Sequence, residues 1–206
     1  IVAPFVAAYL AGLTPSPCVS CNRRIKLAAL ERLRCRLGAD AVATGHYARV
    51  QRADGRARLF RALDRRRDQS YFLHALDVDA LDRLLLPLGE LTKSEVREQA
   101  RRLGLPGAER PDSQELCFVP DGRYVALVEQ RGAERICPGP LVDESGREVG
   151  RHRGIHAFTI GQRRALGVAL GTPCYVTRID PVAGRVTLGP REHLLARGAS
   201  LLDVVL

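Results

Sequence analysis

At 206 residues, with 46% apolar and 27% charged residues, the chain has enough material to bury a core as one or two domains. No run of about 18 uncharged apolar residues occurs, which excludes a spanning helix, and Ile1 to Leu13 lacks the basic flank and cleavage site of a signal peptide. The net charge of +9 and pI near 9.8 suit a polyanionic partner such as nucleic acid, although an Ala- and Arg-rich composition gives the same excess by itself.

Residue 1 is Ile and the sequence contains no Met, so the chain reads as a fragment, and a cytoplasmic location is expected. The six irregularly spaced cysteines, at 18, 21, 35, 117, 137 and 174, do not resemble the disulfide framework of a small secreted domain. Cys35 within a helical pattern and Cys174 at the head of a strand-like run read as packing residues. Cys21 and Cys117 differ, because each ends a polar, turn-prone stretch, and loops on a rigid scaffold are where chemistry tends to be placed. Two such thiols suit sulfur transfer or a transient disulfide.

In chain order, Asn22 to Leu37 has the apolar spacing of an amphipathic helix, with Ile25, Ala28 or Ala29, Leu33 and Leu37 on one stripe and Gly38 as its stop. Its first turn directly follows Cys21, and a thiolate is favoured beside a helix N-terminus. Asp40 to Thr44 is a short strand candidate that breaks at Gly45-His46-Tyr47. Ligands of open α/β sheets lie beyond the carboxyl ends of strands, so Gly45 is a candidate nucleotide contact as well as a chain reversal. Asp54-Gly55 between two apolar-alternating runs predicts a hairpin. A helix is expected around Leu81 to Leu86, and Thr92 to Glu95 has the capping-box spacing and opens a helix that Gly104 and Pro106 end. After a helix around Gly122 to Arg131, the texture changes to short strands between Gly and Pro: 139–150, 154–161, 174–179 and 184–189. The fold class expected is α/β followed by β-rich, with domains at 1–119 and 120–206.

Cys18-x-x-Cys21 leaves three readings open. It is half of a zinc site, a dithiol pair, or two thiols with separate jobs. No second CxxC occurs, and no bound metal is expected.

The motifs TPSPCVSCNRRIK, ATGHYARV, RRDQSYFL, PDSQELCFVPDGRY, GRHRGIHAFTIGQRRALGV and YVTRID, in this order, resemble the tRNA-specific 2-thiouridylase family over essentially the whole chain. The resemblance implies the C-terminal part of an adenine-nucleotide alpha-hydrolase-like domain, of the PP-loop and Rossmann-like kind, followed by a small, mainly β central domain. It also implies ATP, with Mg2+ in the complete enzyme, which adenylates the C2 oxygen of wobble uridine 34 so that sulfur from a cysteine persulfide replaces it. On this resemblance Cys117 carries the persulfide and Cys21 is the second catalytic thiol, which frees the product and leaves a Cys21–Cys117 disulfide. Ser16, Pro17 and Cys18 contact the target base, Gly45 the nucleotide, and His46, Arg67, Asp68 and Gln69 the tRNA. The partners implied are tRNA and a sulfur-relay or cysteine-desulfurase donor protein. Asp112 is a candidate for positioning the Cys117 loop or handling a proton, or a plain turn residue.

Three substitutions and two absences depart from the family pattern. Ser16 stands for Asn, Arg67 for Lys, and Ala165 for a Gly, which matters if that position needs positive φ. The phosphate-binding SGGxDSS loop and the C-terminal barrel do not occur in the sequence, so the fragment alone is expected to be inactive. The alternatives are another PP-loop tRNA sulfurtransferase, or a non-catalytic RNA-binding module stabilised by zinc.

Overall fold

The computed structural model describes residues 1–109, 115–119, 122–202 and 204. By contacts the chain divides into two compact units: residues 1–16 with 114–200, and residues 17–113 with 201–206. The division therefore does not follow a single cut near residue 120.

In the unit built on 17–113, one helical stretch runs from α2 (Pro17–Cys21) through a π turn (Asn22–Lys26) into α3 (Leu27–Leu37). It starts four residues before Cys21, because proline is tolerated at the first helical position, where its missing N–H would be unpaired anyway. Cys21 thus lies beyond the first turn, and the helix-start argument does not apply to it. The stop is as expected: Gly38 takes a left-handed conformation at φ 63. The buried stripe is not the expected one. Ile25, Leu33 and Leu37 are 49%, 39% and 71% exposed, while Leu27 and Leu30 pack inward. Cys35, expected to pack, is exposed beside Arg34 and Glu31.

Strand β1 (Val42–Ala43) pairs in parallel with β4 (Leu84–Leu85), which replaces the end of the helix expected at 81–86. That helix is α4 (Val78–Asp82), which ends one turn earlier and is capped by the Asp77 carboxylate. β2 (Ala48–Ala53) and β3 (Arg56–Arg61) form the expected hairpin about Asp54-Gly55, both at positive φ as a two-residue turn of this kind needs. Its inner face, Ala48, Val50, Ala57 and Leu59, joins Leu27, Leu73, Leu76, Leu81 and Leu84 in one apolar core. α5 (Lys93–Arg102) opens with the Thr92–Glu95 capping box fully formed.

In the other unit, α1 (Val2–Leu10) packs on α6 (Tyr124–Gly132). Phe5 meets Phe118 edge-on at 5.2 Å, and Tyr9 stacks on Tyr124 at 4.5 Å. Strands β5 (Gly139–Val142), β6 (Glu148–His152), β7 (Tyr175–Asp180) and β8 (Arg185–Gly189) form a sheet in the order β6-β5-β8-β7. The β5–β8 pair is parallel and the other two pairs are antiparallel. Leu141, Val176, Val186 and Leu188 fill its inner face against Ile155, Phe158 and Leu166, with Cys174 partly buried at the edge. The run 154–161, expected as a strand, is a short 3-10 turn at Ile155–Ala157 followed by turns. The sequence class of α/β followed by a β-rich part describes the observed elements.

Candidate functional site

In the unit built on 17–113, the chain leaves β1 at its carboxyl end through Thr44, Gly45 and His46, the side of a parallel pair where ligands sit. These three residues, with Lys26, Leu27 and Leu30 from the adjoining helical turns and Gln69, line an open cavity of about 290 Å³. Three residues named from sequence, Gly45, His46 and Gln69, therefore come together. Lys26 and Thr44 were missed. A signal for Lys26 existed: only Lys26 and Lys93 are lysines in this arginine-rich chain. Both lie against this segment, Lys26 in the cavity wall and the Lys93 ammonium 5.6 Å from the centre of the Tyr47 ring.

The geometry fixes what each side chain can offer. His46 Nδ1 stands 2.9 Å from the Thr44 hydroxyl. Burial, and then the positive charge of Lys26, pull the His46 pKa below its ordinary value, so the ring is neutral at pH 7 with one donor and one acceptor nitrogen. Gln69 is fixed twice to Tyr47: its Oε1 accepts the Tyr47 N–H at 2.9 Å, and its own N–H donates to the Tyr47 carbonyl at 2.7 Å. Its amide NH2 is left as the end that can serve a ligand. A Cβ added at Gly45 would meet only Leu88 Cδ1, at 3.5 Å, which is ordinary contact. The fold therefore sets no steric need for glycine there, and the open space belongs to whatever enters.

Asp68 and Arg67 sit beside this cavity. The Asp68 carboxylate accepts from the Ala62 N–H and the Ser70 hydroxyl, both at 2.8 Å, so it holds the loop. Burial works to raise its pKa, but those hydrogen bonds and the charge of Arg61 outweigh it and leave it lowered. Arg67 is exposed, its N–H donating to the Asp64 carbonyl at 3.0 Å.

The helix carrying Cys18 and Cys21 packs on the turn that follows Gln69. Asn22, 4% exposed, donates from Nδ2 to the Phe72 carbonyl at 3.4 Å. Pro17 is buried, while Cys18 and Cys21 are half-buried. The π turn that follows Cys21 shifts the phase of the helix, so the cysteines face differently from the way an unbroken helix would hold them; such turns recur at functional sites. Ser16 and Cys117 belong to the other unit. There Leu116 and Phe118 pack against the Phe5, Val6, Tyr9 and Val128 core, Val119 N–H closes a turn on the Leu116 carbonyl at 2.9 Å, and Cys117 between them is exposed. Alternate anchoring of its neighbours is what presents the thiol outward. Asp112 lies outside the described residues. All six cysteines are described and carry thiols, and among the described residues no group of three His, Cys, Asp or Glu is arranged to hold a metal ion. No described helix is long and apolar enough to cross a membrane.

Comparison with known proteins adds the following. The family model described as "tRNA methyl transferase HUP domain" matches residues 1–121, and that described as "tRNA methyl transferase PRC-barrel domain" matches residues 126–190. The chain is 57% identical to the tRNA-specific 2-thiouridylase MnmA of Sorangium cellulosum over 205 residues, covering 100% of this chain and 53% of that protein. It is 52% identical to the MnmA of Chloroflexus aurantiacus, covering 97% of this chain and 56% of the other, and 48% identical to that of Syntrophotalea carbinolica, covering 94% and 55%. The chain spans about half the length of the curated relatives it matches.

Proposed function

The chain belongs to the tRNA-specific 2-thiouridylase family, and on that premise we propose that it carries the sulfur-transfer half of a tRNA 2-thiolation enzyme. The observation that carries the reading is Cys117, held exposed between two anchored neighbours within a chain similar to the thiouridylases over its whole length. The sequence division at 1–119 and 120–206 is kept as the domain reading, supported by the ends of the two matched family models at 121 and 126.

ATP fits the cavity at Gly45 in part. Lys26 offers a cation for phosphate, Thr44 and neutral His46 offer hydrogen bonds, and the bare glycine lets a ligand approach the backbone. Bound ATP would supply the group that turns the C2 oxygen of the wobble uridine into a leaving group. In this reading the terminal sulfur of a Cys117 persulfide, delivered by a donor protein, forms the bond to C2 as the activated oxygen departs. The Cys21 thiolate then attacks the Cys117 sulfur. The S–S bond breaks, its electron pair goes to the sulfur on C2, and 2-thiouridine leaves with a Cys21–Cys117 disulfide behind it, which an external dithiol reduces. The disulfide step requires the two sulfurs to come within bonding reach in the working complex. Pro17 and Cys18, on the helix start, and Ser16 before it are read as the target-base contact, with Gln69 and Arg67 toward the tRNA.

The deciding experiment is Cys117→Ser in an enzyme of full relative length, with mass analysis of tRNA nucleosides. Loss of 2-thiouridine at unchanged tRNA binding is expected. Retained 2-thiouridine would overturn the assignment.

A further inference from the structure

The hairpin β2–β3 has a second face that plays no part in the core. Its register places Gln51 opposite Arg58, Ala53 opposite Arg56 and Arg49 opposite Phe60, and strand alternation turns these six away from the buried Ala48, Val50, Ala57 and Leu59. Arg49 is committed, donating to the Arg61 carbonyl at 2.9 Å with Glu90 3.9 Å away. Arg52, on the inner face, is tied to Asp82. Arg56 and Arg58 are exposed, and no ion pair or side-chain hydrogen bond among the described residues engages either. Phe60 beside them is 37% exposed. The outward positions of the two strands carry no carboxylate; the turn residue Asp54 lies at the tip.

We propose that this outward ribbon face, built from Gln51, Arg56, Arg58 and Phe60, is a docking surface for the sugar-phosphate backbone of RNA. It rests on the tRNA-modifying reading above. Guanidinium forks two residues apart on a strand stand roughly 7 Å from each other and present paired donors to successive phosphates. An exposed aromatic among them offers a face for a sugar or base, and a Gln adds neutral hydrogen bonds. The ribbon also continues into the candidate site. The Ala62 N–H that ends β3 is held by Asp68, so the loop with Arg65, Arg66 and Arg67 runs directly from the hairpin to Gln69.

The test is binding of this chain to tRNA by fluorescence anisotropy across a salt series, for the wild type and the Arg56→Ser, Arg58→Ser double variant. Loss of two phosphate contacts reduces the slope of log K against log salt by about 1.4 to 1.8, which at 0.1 M salt is a roughly 25- to 60-fold weaker affinity. Phe60→Ser should weaken binding at every salt concentration and leave the slope alone. Unchanged slope and affinity in the double variant would overturn the proposal. So would an equal loss in an Arg32→Ser, Arg36→Ser pair, which removes the same charge from exposed positions on α3. Wild-type binding to polyglutamate as tight as to tRNA would place an acidic protein on this face instead. Failure of the thiolation reading is distinguishable, since it would show in the Cys117→Ser nucleoside analysis and leave these binding results standing.

Discussion

Lowering the pH from 7 to 5.5 should destabilise the unit that holds the four-stranded sheet, and two buried histidines set the size of the effect. His152 is 8% and His156 1% exposed. His152 donates from Nε2 to the Gly184 carbonyl at 3.1 Å, and its Nδ1 has no partner among the described residues, so a second proton would be buried without an acceptor. Burial lowers the pKa of both rings from 6.5. It is opposed by the Gly184 carbonyl and reinforced by His156 and Arg151 at His152, and opposed by Glu129, 3.6 Å away, at His156. Because the folded pKa lies below the unfolded one, the unfolded chain takes up protons first as pH falls through 6.5, and stability falls with it. For a ring that stays neutral when folded, the loss between pH 7 and 5.5 is at most about 1.3 kcal/mol, or about 2.5 kcal/mol for the two. The carboxylates with lowered pKa, such as Asp143 and Asp180, start from 3.8 and titrate below this window. Urea unfolding followed by circular dichroism at half-unit pH steps measures the slope, and His156→Gln should reduce it whatever it does to stability at pH 7.5. Constant stability over this range, or a slope that His156→Gln leaves unchanged, would refute the reasoning.

Three further outcomes are expected. Ala165 holds φ 57, a left-handed conformation that costs an alanine about 1–2 kcal/mol; after the larger unfolded-state entropy of glycine, Ala165→Gly should stabilise by about 0.5–1 kcal/mol, read as a raised urea midpoint. Thr92→Ala removes the cap of α5 and should cost about 1 kcal/mol, seen as a lower midpoint and faster amide exchange in Lys93–Arg102. Gly45→Val should lower ATP affinity at least tenfold in equilibrium dialysis with little change in melting, because the first added carbon meets only Leu88; a large melting loss would make Gly45 a structural residue instead.

Most of what was legible in the sequence depended on neighbours within about four residues. Asp54-Gly55 specified the hairpin, Thr92 and Glu95 the start of α5, and Gly38 the end of α3, because each satisfies local backbone groups by itself. The site was legible in part, since Gly45, His46 and Gln69 carry recognisable motifs, whereas Thr44 joins the cavity only because β1 ends there. Ala165 shows the same limit from another side: the sequence flagged the missing glycine, and only the backbone showed that positive φ is needed.

What the sequence by itself determined is the β2–β3 hairpin, the caps and turns that bound the elements, and the family. Tertiary structure decided the rest. Two apolar stripes compete on α3, and contact with the hairpin and α4 selects Leu27 and Leu30 over Ile25, Leu33 and Leu37. Residues 84–85 become a strand because β1 offers a parallel partner, and α1 joins residues 114–200 because Phe5 and Tyr9 find aromatic partners there. Caps and turns are settled by hydrogen bonds between near neighbours, while the choice of buried face is settled by apolar area removed from water between segments far apart in the chain.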